Sequence, residues 1–396
     1  MSKRIAIIGA GPAGLMAAEV LSQYNYQIDV FEQKPSAARK FLMAGKTGLN
    51  ISHAEPVDVF IQRYDRTDWL SPWVKQWDAQ WIQNWMQGLG IDSYVGSSGR
   101  VFPVEMKAAP LLRAWLKRLI QKGVKFHYRH RCVDLSNNQL TIENQTQQFS
   151  ATYDAIILAC GAVSWSQLGS DGAWQQWLST DEIEPFQASN AGVLKQWSPF
   201  MQDCFGQPLK RVDAWVTTER KTHGDIIITH YGFESGVIYK LGRDLRTQLS
   251  QKKNLKLHLD LLPDLNIEQL EKKLQGNKKQ SLTNLWRKAG LDQVKINLLR
   301  EIVDKSLWSD AKQMVQQIKH LSISLDGFRP IEEAISCAGG VKQDILSPQL
   351  QLKSNPYVFC CGEMLDWDAP TGGYLLTACF ATGRAAGQGV QHFLSR

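Results

Sequence analysis

Three glycines near the start of the chain leave few folds open to it. Gly9, Gly11 and Gly14 stand in G-x-G-x-x-G spacing, after a β-branched run at residues 5–8 long enough for one buried strand. Residues 12–24 then read as a helix and 28–31 as a second strand, closed by Glu32. Each residue type has a physical task. Gly9 permits the tight turn from strand to helix. Gly11 has no Cβ, so a pyrophosphate can approach the backbone, and Gly14 lets the helix lie close to the strand. The first N–H groups of that helix, with its positive end, face the phosphates. Glu32 is placed to accept hydrogen bonds from a ribose diol and would repel a 2′-phosphate. Together these features predict a dinucleotide-binding βαβ unit. Ser2, Lys3 and Arg4 ahead of an apolar run mimic a secretory leader. Gly9, Gly11, Pro12 and Gly14 interrupt that run, however, and Glu32 has no part in such a reading.

A chain of 396 residues exceeds what one hydrophobic core usually serves, so two or three domains are expected. No apolar stretch approaches the ~20 residues that span a bilayer. The net charge of +7 suits anionic cofactors and substrates and permits nucleic acid without implying it. Seven cysteines are scattered without a C-x-x-C, which reads as a reducing cytoplasm with thiols used as small core residues. Cys360 and Cys361 are adjacent in a strand-like run, where neighbours point to opposite faces, so packing is the expected role. No spacing suits a metal ion.

Further along, residues 34–56 form a long polar, basic stretch, in which Arg39, Lys40, Lys46 and Asn50 are placed to serve phosphate or ribityl groups. Trp69, Trp73, Trp77, Trp81 and Trp85 recur every four residues. Pro72 and Asp78 divide them between a short helix and a second one starting near Asp78, and a packed aromatic seam is favoured over a cage for a bound cation. Arg100 and Lys107 are further candidate anion contacts. Residues 109–122 read as an amphipathic helix, 124–128 as a strand and 139–153 as a hairpin. Residues 154–161, DAIILACG, are a second buried parallel-type strand ending in glycine, and the C-terminal end of such a strand lies beside the cofactor in a doubly wound sheet. From about Glu184 the character changes. Strands are expected over 211–219, 225–231 and 256–262, and a lysine-rich helical stretch over 267–320. The first domain resumes near Leu321, with a strand at 357–361, a turn at Gly362 and Glu363, and a closing helix over 374–393.

Three stretches, GAGPAG with Glu32, DAIILACGA, and CGEMLDWDAPTGGYLLTACFATGRAAG, resemble the FAD-binding domain of glutathione-reductase-type flavoproteins. More narrowly, KFLMAGKTGLNISHAEP, GSSGRVFP, THYGFESGVIY and GEMLDWDAPTGGY resemble bacterial NAD(P)/FAD-dependent oxidoreductases of the aminoacetone oxidase family. The resemblance implies an α/β fold: a Rossmann-like FAD-binding domain interrupted by an inserted β-barrel-like and helical domain. The expected boundaries are 1–183, then 184–320 (β-rich over 184–263, helical over 264–320), then 321–396. It implies that Gly9, Gly11, Pro12, Ala13 and Gly14 hold the pyrophosphate, and that Glu32 and Gln33 stand at the adenosine ribose. Lys40, Asn50, Val133, Cys160 and Gly161 are further cofactor contacts. Gly362 and Glu363 meet the ribityl chain, with Glu363 where such flavoproteins usually have Asp. Thr371, Gly372, Gly373 and Tyr374 are expected to set a helix N-terminus at the flavin's pyrimidine end. Cys160 replaces the usual threonine, and residues 46–50 lack the arginine and cysteine of the family's G-G-G-R-C-N loop.

The implied activity is flavin-mediated two-electron chemistry on a small molecule, either amine oxidation or NAD(P)H-dependent reduction. One glycine fingerprint leaves no second nucleotide fold, so NAD(P)H would visit through an open cleft or the substrate itself would supply the electrons. His230 and Tyr231, at the end of an inserted strand, are the candidate acid and base. The insert is expected to set the substrate. Two alternatives are a flavin-dependent RNA-modifying enzyme, with Lys272, Lys273, Lys278, Lys279, Arg287 and Lys288 meeting phosphate, and a non-catalytic flavin sensor.

Overall fold

The computed structural model describes residues 2–45, 48–218, 220–251, 253–275 and 281–396. Lys46, Lys278 and Lys279, all singled out above, lie outside these. The chain forms two compact units, residues 1–187 with 336–396, and residues 188–335.

The first unit is built on a five-stranded parallel sheet. Its strands are β1 (Lys3–Ile8), β2 (Tyr26–Glu32), β3 (Lys125–Tyr128), β4 (Ala155–Leu158) and β5 (Val358–Cys360), in spatial order β5-β4-β1-β2-β3. Ile5, Ala6, Ile7 and Ile8 are buried on both faces, which is why the run is continuously apolar rather than alternating. Register places Ile8 beside both Phe31 and Leu158, and Leu158 beside Cys360, so four strands end at one level. Helix α1 (Pro12–Leu21) follows β1, and the chain closes with α3 (Tyr374–Leu394) laid against α1. α1 stops three residues short of the expected Tyr24. Its C-terminal carbonyls are taken by a Ser22 cap, whose hydroxyl donates to the Glu19 carbonyl.

The tryptophan repeat falls on two helices, Thr67–Gln76 and Ala79–Gln87. Asp78 caps the second, accepting a hydrogen bond from the Trp81 amide at 2.9 Å. The seam supplies its own cation. The guanidinium of Arg384 lies 4.5 Å from the Trp81 ring centre and 5.3 Å from that of Trp77, so the aromatic faces are spent on a residue of this chain.

The second unit has a seven-stranded antiparallel sheet, whose central strands are Lys256–Asp260, Pro208–Trp215, Lys221–Thr229 and Gly232–Glu234. Leu321–Ser324 pairs with Lys256–Asp260, so the return to the first unit comes at Ser336 and not at Leu321. The reason is visible in the strand itself, where Leu321 and Ile323 are buried and Ser322 and Ser324 exposed, the pattern of a half-buried sheet strand. Among the described residues, 267–320 carry four α-helices. A further helix, Gly236–Ser250, interrupts the part read as β-rich, and Ser235 caps it by accepting from the amides of Val237 and Ile238.

Candidate functional site

The four strands that end together open a cleft at the C-terminal edge of the parallel sheet, the usual ligand position in doubly wound folds. The cleft, partly open to solvent, is lined entirely by the first unit. Gly9 has φ +104°, and a Cβ there would stand 2.4 Å from the Ala159 carbonyl oxygen. A Cβ on Gly14 would stand 2.1 Å from the Gly9 carbonyl oxygen. A Cβ on Gly11 would meet nothing within 4 Å. Two glycines are therefore required by the protein's own packing, whereas Gly11 is required only by something that enters the cleft.

Glu32 is held at the end of β2. The amide of Ala10 donates to Oε2 at 3.1 Å and that of Lys34 to Oε1 at 2.8 Å. Burial pushes its carboxyl above the ordinary value, opposed by those two amides and by the charges of Lys34 and Arg39. The fixed carboxylate keeps lone pairs for ribose hydroxyls, which favour its ionised form. Binding of an adenosine ribose is thus expected to tighten as pH rises through the raised Glu32 value and to level off above it. Glu32→Gln is expected to weaken FAD by about 1–3 kcal/mol and to flatten that pH dependence. A titration of FAD against apoprotein at several pH values checks both, and an unchanged dissociation constant would place the ribose elsewhere.

Beside Glu32, the Gln33 side chain donates to the Gly169 carbonyl at 2.7 Å, so Gln33 organises the 168–171 wall. Pro12, Ala13, Cys160 and Gly161 line the cleft, as do Gly362, Glu363 and Lys40. Lys40 lies on α2 (Arg39–Ala44), and its Nζ is 3.0 Å from Glu363 Oε2 and 3.1 Å from Ser164 Oγ. Val133 is not in the lining. Its neighbours Cys132 and Arg131 are, at a strand irregularity between Cys132 and Asp134.

Thr371–Tyr374 also stand outside the lining. Gly373, φ +96°, precedes α3 and comes so near Ser52 that a Cβ would lie 2.5 Å from the Ser52 Cα. Tyr374 is clamped at both ends: its hydroxyl donates to Glu55 Oε1 at 2.6 Å, and its carbonyl accepts from the Tyr64 hydroxyl at 2.8 Å. Burial raises the Glu55 carboxyl, but hydrogen bonds from Arg63 and Tyr374 outweigh it and hold the group below its usual value. These residues fasten the start of α3 to the segment that begins at Asn50. His53, stacked on Tyr374, has both ring nitrogens engaged: Nε2 with the Ser98 carbonyl, and Nδ1 accepting from the Glu55 amide.

Three polar atoms in this region are buried without a hydrogen-bond partner among the described residues, Arg39 Nε, Trp177 Nε1 and Asn50 Oδ1. Arg39 and Trp177 line the cleft, and Asn50 stands outside its lining. A buried donor and a buried acceptor left unmade are costly unless a ligand completes them. With the open space over Gly11, they fit a cofactor that brings phosphate oxygens and N–H groups. The thiols do not suit redox exchange: burial pushes Cys132 up to about 12 and raises Cys360 and Cys361 further.

The candidate acid and base sit in the second unit, one residue beyond the strand Lys221–Thr229. His230 is exposed, its ring edge-on to Tyr231. The Tyr231 hydroxyl donates to the Glu234 carboxylate, and the Arg329 guanidinium lies 4.1 Å from its ring centre. Burial first, and Glu234 second, raise the Tyr231 phenol well above its ordinary value.

Sequence reasoning passed over the wall formed by His130, Arg131, Leu168–Asp171 and Trp174. Residues 162–182 carry only short 3₁₀ turns without periodicity. The one readable signal was their position after a buried strand ending in glycine. Arg100 and Lys107 are exposed and outside the lining.

A family model described as HI0933-like protein Rossmann domain matches residues 3–389. The chain is 24% identical over 408 residues to the 3-dehydro-bile acid delta(4,6)-reductase of Clostridium scindens, covering 97% of this chain and 98% of that protein. It is 23% identical over 405 residues to the ribosomal RNA dihydrouridine synthase of Haemophilus influenzae, with 93% of each chain covered. Among solved structures it is similar to the open conformation of a flavocytochrome c3 fumarate reductase, with a TM-score of 0.53 at 13% identity, covering 99% of this chain and 78% of that one. At that identity the likeness speaks to the fold.

Proposed function

The chain belongs to the HI0933-like Rossmann family and is an FAD-dependent oxidoreductase, and from that membership we propose that it reduces an electron-poor carbon–carbon double bond in a small carbonyl compound, with NAD(P)H as electron donor. By their names, the Clostridium reductase and the Haemophilus synthase both saturate a double bond conjugated to a carbonyl. FAD, when bound, supplies the two-electron step. The rest of the reaction needs a proton held ready for the carbon skeleton. The observation that carries the reading is Tyr231, a partly buried phenol whose hydroxyl donates to the Glu234 carboxylate while Arg329 lies over its ring. A tyrosine carries its proton at neutral pH and can pass it to the carbon skeleton once the substrate displaces the Glu234 contact, whereas amine oxidation asks for a base. Of the two candidates Tyr231 takes the acid's role, with Glu234 positioning the hydroxyl and Arg329 covering the ring, and exposed His230, the candidate base, has no part in this reaction.

Anaerobic stopped-flow mixing tests this. NADH or NADPH is expected to bleach the flavin, and an α,β-unsaturated ketone to restore its colour. Tyr231→Phe should slow the second step about 10²-fold, within the range for general acids, and leave the first unchanged, while His230→Ala alters neither. Bleaching by small amines, with no recolouring by enones, would replace this reading with amine oxidation.

A second reading rests on charge. Residues 188–335 hold 23 Lys and Arg against 17 Asp and Glu, so six of the seven net positive charges fall in the second unit. Lys272, Lys273, Arg287 and Lys288 are exposed there on helices. A basic substrate unit suits an RNA whose pyrimidine is reduced by the same chemistry. Association with RNA that falls steeply with salt is the mark of this alternative.

A further inference from the structure

Arg39 and Lys40 are adjacent cations in the same cleft, and both suit phosphate by type. Their surroundings differ. Among the described residues the Arg39 Nε is buried without a hydrogen-bond partner, and its Nη1 donates to Ser36 Oγ at 3.4 Å. The Lys40 ammonium is already engaged by Glu363 Oε2 and by Ser164, which is fully buried. Glu363 itself sits on a turn that cannot move. The Gly362 amide donates to Thr382 Oγ1 at 3.0 Å, and the Gly362 carbonyl accepts from the Trp367 indole at 3.0 Å. Gly362 has φ +83°, and a Cβ on it would lie 2.8 Å from the Ala13 Cβ. With the backbone fixed, the freedom that remains is in the glutamate side chain, one methylene longer than the usual aspartate.

We propose that the two cations divide the cofactor between them: Arg39 takes the phosphates through Nε, and Lys40 is a positioning residue that fixes Glu363 Oε2 and leaves Oε1 for a ribityl hydroxyl. Lys40 thereby acts on the flavin half of FAD without touching its phosphates. A rotamer-rich carboxylate gains most from such a clamp, because its ordering cost is met before the ligand arrives. The clamp also accounts for a glutamate at this turn, since Ser164 seats Lys40 where the longer side chain meets it.

This inference rests on the FAD reading, and two fragments of FAD separate the two. Riboflavin carries the ribityl chain without phosphates, and ADP carries the phosphates without the ribityl chain. Both are titrated against apoprotein by calorimetry, alongside FAD. Lys40→Met is expected to weaken riboflavin and FAD by the same factor, about tenfold as for a lost charged hydrogen bond, and to leave ADP unchanged. Arg39→Met should weaken ADP and FAD and spare riboflavin. Lys40→Met combined with Glu363→Gln should cost little beyond Glu363→Gln alone, while Arg39→Met combined with Glu363→Gln should be additive. Lys40→Arg keeps the ion pair and should recover most of the riboflavin affinity, which a merely structural lysine would not show. Loss of ADP binding in Lys40→Met, with riboflavin unaffected, overturns the division. Should Lys40→Met not fold, Ser164→Ala in the same titrations gives the same discrimination. A parent protein that binds neither fragment nor FAD fails at the cofactor, not at the clamp.

Discussion

Gly11→Val is expected to yield a folded, colourless protein that no longer binds FAD. Where the new side chain goes decides the outcome. Gly11 caps α1 with φ −78° and ψ 178°, an extended conformation that valine adopts without strain. A Cβ at this position meets nothing within 4 Å, so the apoprotein loses no packing. Residues on either side, Gly9, Pro12 and Ala13, line the cleft, and the amides at the start of α1 lack intrahelical partners. The branched side chain therefore occupies the place over those amides that a pyrophosphate needs. Steric exclusion of this kind costs more than one hydrogen bond, roughly 4 kcal/mol or a thousandfold on the usual scale of affinity. Melting of the apoproteins by circular dichroism should show parent and variant within about 0.5 kcal/mol, as for a surface change. FAD quenching should show binding in the parent alone. A yellow variant would mean that the phosphates lie elsewhere.

The contrast among the three glycines shows what the sequence does and does not disclose. Their spacing, with the β-branched run before and Glu32 after, is local information, and it specified the βαβ unit and the acid that Ala10 and Lys34 now hold. DAIILACG and the CGEM turn were legible for the same reason: each is a strand followed by a glycine whose φ is positive, +72° at Gly161 and +83° at Gly362. The wall of residues 168–171 was not legible, because it is placed by long-range bonds such as Gln33 to Gly169 rather than by any periodicity of its own. Tyr374 shows a different limit. Its glycine-rich entry was legible as a helix start, but not that the tyrosine spends its hydroxyl and carbonyl on Glu55 and Tyr64. Neither partner is recognisable from a segment some 310 residues earlier. The helix Gly236–Ser250 was missed because its apolar positions follow directly on strand-like residues, and its cap, Ser235, has no acidic or amide partner three residues on to announce it.

A large loss of stability is expected at Gly383, in the middle of α3. Glycine in a helix interior normally costs about 1 kcal/mol relative to alanine, so on propensity alone Gly383→Ala should stabilise the protein. Packing decides otherwise. A Cβ at Gly383 would lie 2.2 Å from the Ala13 carbonyl oxygen and 3.0 Å from the Ala13 Cα. Both are backbone atoms of α1, which cannot rotate aside. One helical turn further, a Cβ at Gly387 would stand 2.9 Å from the Val20 Cβ and 3.1 Å from the Ala17 carbonyl oxygen, so the helices touch over a length and cannot tilt apart at one point. Gly383→Ala should therefore destabilise by about 1–3 kcal/mol, the range for overpacking a fixed core, and Gly383→Val by more. Gly242 supplies the opposite case in the helix Gly236–Ser250. The nearest atom to a Cβ there is the far end of the Arg246 side chain at 3.5 Å, and Gly242→Ala should stabilise by up to about 1 kcal/mol. Urea melts of the three variants compare the signs directly. The Gly383 variants should also lose FAD affinity, because Ala13 belongs to the cleft lining and moves with α1. A Gly383→Ala protein as stable as its parent would show that α1 and α3 are not held at the separation from which the seat of the phosphates is built.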